Sequence, residues 1–176
     1  TGSARELITA GSTADGTLQY SLDNVTYSTD IPTGTGAGTY TVYYKVQGDG
    51  NHNDSAVASV TVGIAKADAT ITVDSHTVCV DSALPGLTWK VKGLIGEDKL
   101  VTEPTLSTDA KMNTAGEYTI TASGADAGGN YAITYVTGEL TVRDHNMEQT
   151  AAQVDATCET AGKTAVFTCS YNCGHV

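Results

Sequence analysis

From Tyr40 to Gln47 large apolar or aromatic side chains alternate with polar ones: Tyr40, Val42, Tyr44 and Val46 share one face, and Thr41, Tyr43, Lys45 and Gln47 the other. A period of two is the pattern of a strand covered on one side, so the first set is the predicted core face. Ala58, Val60, Val62 and Ile64 repeat the period, as do Leu87, Trp89 and Val91, then Tyr118, Ile120 and Ala122, then Tyr131, Ile133 and Tyr135. Leu18–Leu22 runs into Asp23-Asn24, a pair suited to a tight turn, and Val25–Tyr27 is the predicted return strand of a β-hairpin. In all, five or six strands are expected between Leu7 and Ile64. Further on, Ile71 and Val73 open a second set, Leu84-Pro85-Gly86 marks a turn, and Trp89 is the expected centre of a second core. Thr137-Gly138 is expected to form a bulge or turn ahead of Leu140-Thr141-Val142. Helix is expected to be scarce.

The strands fall into two cognate series. Ala37-Gly38-Thr39-Tyr40-Thr41-Val42 returns as Ala115-Gly116-Glu117-Tyr118-Thr119-Ile120, each time followed by a Gly/Asp/Asn-rich turn and another alternating strand. A Tyr at the start of the penultimate strand is where immunoglobulin-like sandwiches carry a tyrosine corner, the phenol bonding to nearby backbone while the ring enters the core. Tyr40 and Tyr118 are assigned that role, with Gly38 and Gly116 turning the chain into the strand. The predicted fold is all-β: two tandem Ig-like β-sandwich modules over residues 1–66 and 67–143, and a short, incomplete Cys/His segment over 144–176. Ala65–Ala69 has neither a Gly nor a Pro tract, which predicts a direct passage between the modules with limited hinge freedom.

Composition sharpens this picture. The chain has 176 residues, 19 of them Gly and nine Tyr against one Trp and one Phe, which favours short strands joined by tight turns. A net charge of -11, scattered through predicted turns, opposes binding to nucleic acid or anionic lipid. No apolar run approaches the roughly 20 residues that span a bilayer. The four cysteines, one at Cys79 and three at Cys158, Cys169 and Cys173, do not form a disulfide framework for the β modules, which must be held by packing and ladders.

The first module resembles bacterial immunoglobulin-like repeats of large surface proteins, through Leu18–Asp23, Ala37-Gly38-Thr39-Tyr40 and Gly48-Asp49-Gly50-Asn51. The second resembles MBG-type domains of bacterial adhesins. That likeness is carried by Ala83–Leu87, Gly93-Leu94, Ala115–Tyr118, Asn130–Tyr135 and Gly138–Val142, and it departs at Cys79, where such domains tend to carry an aromatic. The resemblances imply secreted or wall-anchored proteins of Gram-positive bacteria, in which such modules act as non-catalytic spacers or adhesive units.

Candidate chemistry concentrates at the C-terminal end. His145, Cys158, Cys169 and Cys173 are the candidate metal ligands, with His175 nearby, since thiolates with imidazole suit a tetrahedral zinc site that can hold a segment too polar to fold alone. Ala156-Thr157-Cys158, Ala161-Gly162 and Cys169–Gly174 resemble the Cys/His repeats at the tails of some bacterial surface proteins, although the terminal pair has three intervening residues where two are usual. Free thiols in a disordered tail and a Cys158–Cys169 disulfide are the alternatives. Cys79 reads as an isolated, half-buried thiol. Asp49–Asp54 spaces oxygen ligands like the start of a calcium loop but lacks its later Gly and Glu, so it reads as an Asx-type turn, as does Asp126–Asn130. An isopeptide crosslink would need a core lysine, and alternation puts Lys45 and Lys90 opposite the apolar set. No catalytic residue is assigned: Glu97, Asp98 and Glu103 fall in a connection, and His52 and His76 lie in or beside turns without a strained nucleophile.

The expected function is a non-catalytic spacer, presentation or adhesion segment of a large secreted or wall-attached bacterial surface protein. The alternatives are the accessory tail of a secreted glycoside hydrolase, or a carbohydrate-binding module. Expected partners are neighbouring domains of the same chain, with host glycan or mucin as the candidate external ligand. Nucleic-acid binding, membrane insertion and self-association are not expected.

Overall fold

The computed structural model describes residues 3–171 and 173, and among these every regular element is a strand. The chain divides into two compact units. One comprises the chain up to Ala69 with Lys92–Glu103 and Ala125–Thr134; the other comprises Thr70–Val91, Pro104–Gly124 and the chain from Tyr135 onward.

The first unit begins with β1 (Arg5–Glu6), β2 (Thr17–Ser21), β3 (Thr33–Gly34), β4 (Gly38–Gln47) and β5 (Ala58–Ile64). Antiparallel pairing gives a sheet ordered β2-β4-β5 and a small β1-β3 ladder. Four strands, one of two residues, thus lie between Leu7 and Ile64 where five or six were expected. The shortfall lies in the hairpin: Val25–Tyr27 forms no strand, and its return is a single bridge from Tyr20 to Ser28. The cause is Asp23, whose carboxylate accepts from the Ser21 hydroxyl at 2.7 Å and from the Val25 and Thr26 N–H groups at 2.8 Å, so the turn takes backbone donors a ladder would need. Asn24 sits at φ 60, a left-handed conformation that Asn tolerates.

On β4, Val42 is fully buried and Tyr40 and Val46 are half-buried, but Tyr44 is 38% exposed. The predicted core face therefore holds at its start and opens toward its end. There Ile8, Leu18, Tyr20, Tyr44, Val46 and Val60 line an open groove of about 460 Å³. Farther along the chain, Ala69, Ala127 and Tyr131 form a second buried nucleus of this unit, with Leu94, Leu100 and Ile133 against it.

Only Ala65 and Lys66 separate β5 from β6 (Ala67–Val73). There follow β7 (His76–Cys79), β8 (Trp89–Lys92), β9 (Thr105–Thr108), β10 (Gly116–Ser123), β11 (Tyr131–Val136) and β12 (Gly138–Arg143). One sheet is ordered β11-β6-β8, and the other β7-β12-β10-β9. The second is mixed, because β12 pairs antiparallel with β10 but parallel with β7. Its core is Val73, Ile120, Leu140 and Val142, with Val78, Leu106 and Tyr118 among the side chains packed on it. Trp89 is half-buried and outside this core, contrary to expectation, because β8 is an edge strand and the inner positions go to aliphatic residues of β10 and β12.

The expected interruption at Thr137-Gly138 is the passage of the chain from one sheet to the other. Gly138 is buried, and a Cβ there would lie 2.6 Å from the Asp74 carbonyl oxygen and 3.0 Å from that of Val73. Beyond it, β13 (Met147–Ala151) and β14 (Val166–Cys169) form an antiparallel ladder of their own.

Candidate metal centre

The parallel pairing of β7 with β12 sends both strands out on the same side, with Cys79 opposite Arg143. The register continues past the strand ends, where the Val80 N–H donates to the Arg143 carbonyl at 2.9 Å. Two residues beyond Arg143 the chain reaches His145 and enters β13, whose first residue, Met147, pairs with Cys169 at the end of β14. A further bond, Ser170 N–H to the Asn146 carbonyl at 2.9 Å, holds the strand ends together. Cys79, His145, Cys169 and Cys173 thereby converge, their ligand atoms all within 4.8 Å of one another.

Three of the four sequence-assigned ligands, His145, Cys169 and Cys173, are in this cluster. Cys158 is not: it is exposed, on the connection between β13 and β14. All four cysteines are free, so the Cys158–Cys169 disulfide is not formed. His175, together with Asn172 and Gly174, lies outside the described residues. The fourth member is Cys79, 2% exposed, which the sequence reading took for an isolated thiol. Its position follows from a parallel strand pairing across more than sixty residues of chain, which alternation cannot reveal.

Three sulfurs and an imidazole are a donor set that could hold a soft metal ion. The His145 Nδ1 lies 3.2 Å from the Cys173 Sγ. Burial opposes ionisation of Cys169, but hydrogen bonds from Cys173, the Tyr171 N–H, His145 and the Asn146 N–H outweigh it, bringing the thiol from the ordinary 9.0 down to about 6. Beside the cluster the Arg143 guanidinium stacks 3.5 Å from the centroid of the Tyr171 ring, and its Nε is buried without a hydrogen-bond partner among the described residues. Were a divalent ion held by three thiolates, a cation in this position would offset the remaining negative charge.

The remaining assigned sites have ordinary geometry. Tyr40 donates to the Gly36 carbonyl at 2.8 Å and Tyr118 to the Thr114 carbonyl at 3.1 Å, so both motif tyrosines tie the strand start to backbone four residues upstream. Asp49 accepts from the Asn51 N–H and meets the His52 ring, each at 2.8 Å, and Asp126 accepts from the Gly128 N–H at 2.7 Å; both are Asx turns. Lys45 pairs with Asp54 at 3.1 Å and Lys90 with Asp74 at 2.5 Å.

The body is all-strand, with a Cys/His cluster at the exit of a parallel strand pair. Residues 69–141 match the family model of the MBG domain (YGX type), a type of domain typical of surface proteins. The match includes Cys79 and ends before His145. Neither a curated protein nor a solved structure matches the chain. No helix among the described residues is long and apolar enough to cross a membrane.

Proposed function

We propose that the chain is a non-catalytic presentation segment of a secreted or wall-attached bacterial surface protein, made of strand-built modules in series with boundaries near residues 66 and 143, the first of them Ig-like. The observation that carries this reading is the MBG match over residues 69–141 within a chain whose described elements are all strands. The repeated tyrosine ties support it, because they fix the strand starts of both series and so serve the build of the fold. In this reading the Cys/His cluster holds a zinc ion with a structural role. The test is insertion of the chain between a wall anchor and a reporter domain on intact bacteria. Antibody access to the reporter should fall when the chain is deleted; unchanged access would contradict the reading.

Direct adhesion is a second reading, favoured by the open groove beside Tyr44. An exposed ring against an apolar wall is a stacking surface for a sugar face. Glycan-array binding abolished by Tyr44→Ala would support it, and a blank array would remove it.

A further inference from the structure

The segment after β12 has little to fold around. Every residue of β13 is exposed, as are Val154, Val166, Phe167 and Tyr171, and between Asp144 and Tyr171 only Cys169 is buried. Hydrophobic burial cannot order such a stretch, and a two-stranded ladder without a packed face is marginal in water. Its one buried point is the cluster, and one member of that cluster, Cys79, belongs to the β body that the MBG match covers.

Resting on the zinc reading above, we propose that the ion is a clasp: Cys79 of the β body completes a Cys₃His site with His145, Cys169 and Cys173, so that metal binding and ordering of the β13–β14 ladder on the β7–β12 strand ends are one event. Cys158 takes no part. The geometry suits the ion. Tetrahedral zinc with sulfur at about 2.3 Å and nitrogen at about 2.0 Å sets its ligand atoms roughly 3.5–3.8 Å apart. The four ligand atoms, all within 4.8 Å of one another, reach that spacing by small side-chain movements. Three of the four are contributed by a stretch that lacks a core, and the fourth by a strand flanked by one. A site divided in this way cannot form in the unfolded tail alone, so its binding free energy acts directly on the docking of the tail.

The test is titration of the full chain with Co²⁺, then displacement by Zn²⁺, following the thiolate-to-cobalt charge-transfer band, whose intensity counts bound thiolates. The unaltered chain should bind one ion with the intensity of three thiolates, and Cys158→Ser should keep both affinity and intensity. Cys79→Ser should drop to two thiolates and bind at least about 100-fold more weakly, with Trp89 fluorescence reporting whether its β body is retained. Should Cys79→Ser fail to fold, the unaltered chain and Cys158→Ser still decide: lost intensity in Cys158→Ser overturns the clasp. Binding lost in Cys158→Ser and kept in Cys79→Ser overturns the clasp and leaves zinc in the tail. No uptake by the unaltered chain overturns the zinc reading itself.

Discussion

The two motif tyrosines show how much one side chain contributes to starting a strand. Each phenol reaches a carbonyl four residues back, but the Tyr40 bond is partly buried while that of Tyr118 is exposed. A hydrogen bond contributes more where water cannot replace it. Tyr40→Phe should therefore cost about 1 kcal/mol in urea unfolding and Tyr118→Phe less, with equal losses arguing against the tyrosine-corner role. Asp23 offers a test in pH. The Ser21 hydroxyl foremost, then the Thr26 and Val25 N–H groups, hold its carboxyl well below the ordinary 3.8. The folded chain therefore resists protonating Asp23 where the unfolded chain accepts it, and the stabilisation is full above about pH 4 and is lost progressively as the pH falls. Asp23→Asn should flatten the fall in urea midpoint between about pH 4 and pH 2; an unchanged slope would show that other carboxylates set it. These residue roles differ in how well they could be read beforehand. The tyrosines were legible because a repeated motif fixed their place on a strand, and Trp89 was misplaced because side-chain size does not say which strand lies at an edge.

Strands themselves were legible from period two, and their neighbours were not. Alternation tells which side chains of β12 face inward, and Leu140 and Val142 do. It is silent on whether β12 lies beside β7 or β11, and on the direction of pairing, because a strand presents the same faces either way. The hairpin after β2 failed for a related reason: its turn chemistry was read correctly, but side-chain acceptors there compete with the ladder they were expected to start. The passage from β11 to β12 depends on the absence of a side chain at Gly138, where the carbonyls of Val73 and Asp74 leave no room. Gly138→Ala should destabilise the protein by about 1–3 kcal/mol, read as a lower urea midpoint with an unchanged slope. A neutral substitution would mean that the neighbouring backbone yields freely.

At the scale of the molecule, three of the four members of the Cys/His cluster were candidates from sequence chemistry, because thiol and imidazole groups near one another in a polar tail have few structural uses. It could not identify the fourth. Cys79 lies sixty-six residues before His145, and only the parallel pairing of β7 with β12 brings the two together. Cys158, chemically equal to the others and nearer in sequence, is held away on the connection between β13 and β14. The proposed clasp implies a physical division of labour: the β body is held by aliphatic burial, and the tail, lacking that, would be held at one point. Amide hydrogen exchange on the full chain, with zinc and then with a chelator, tests this most directly. Chelation should collapse protection of Met147–Ala151 and Val166–Cys169 while Gly116–Ser123 and Gly138–Val142 stay protected; equal protection of the β13–β14 ladder in both states would contradict the account.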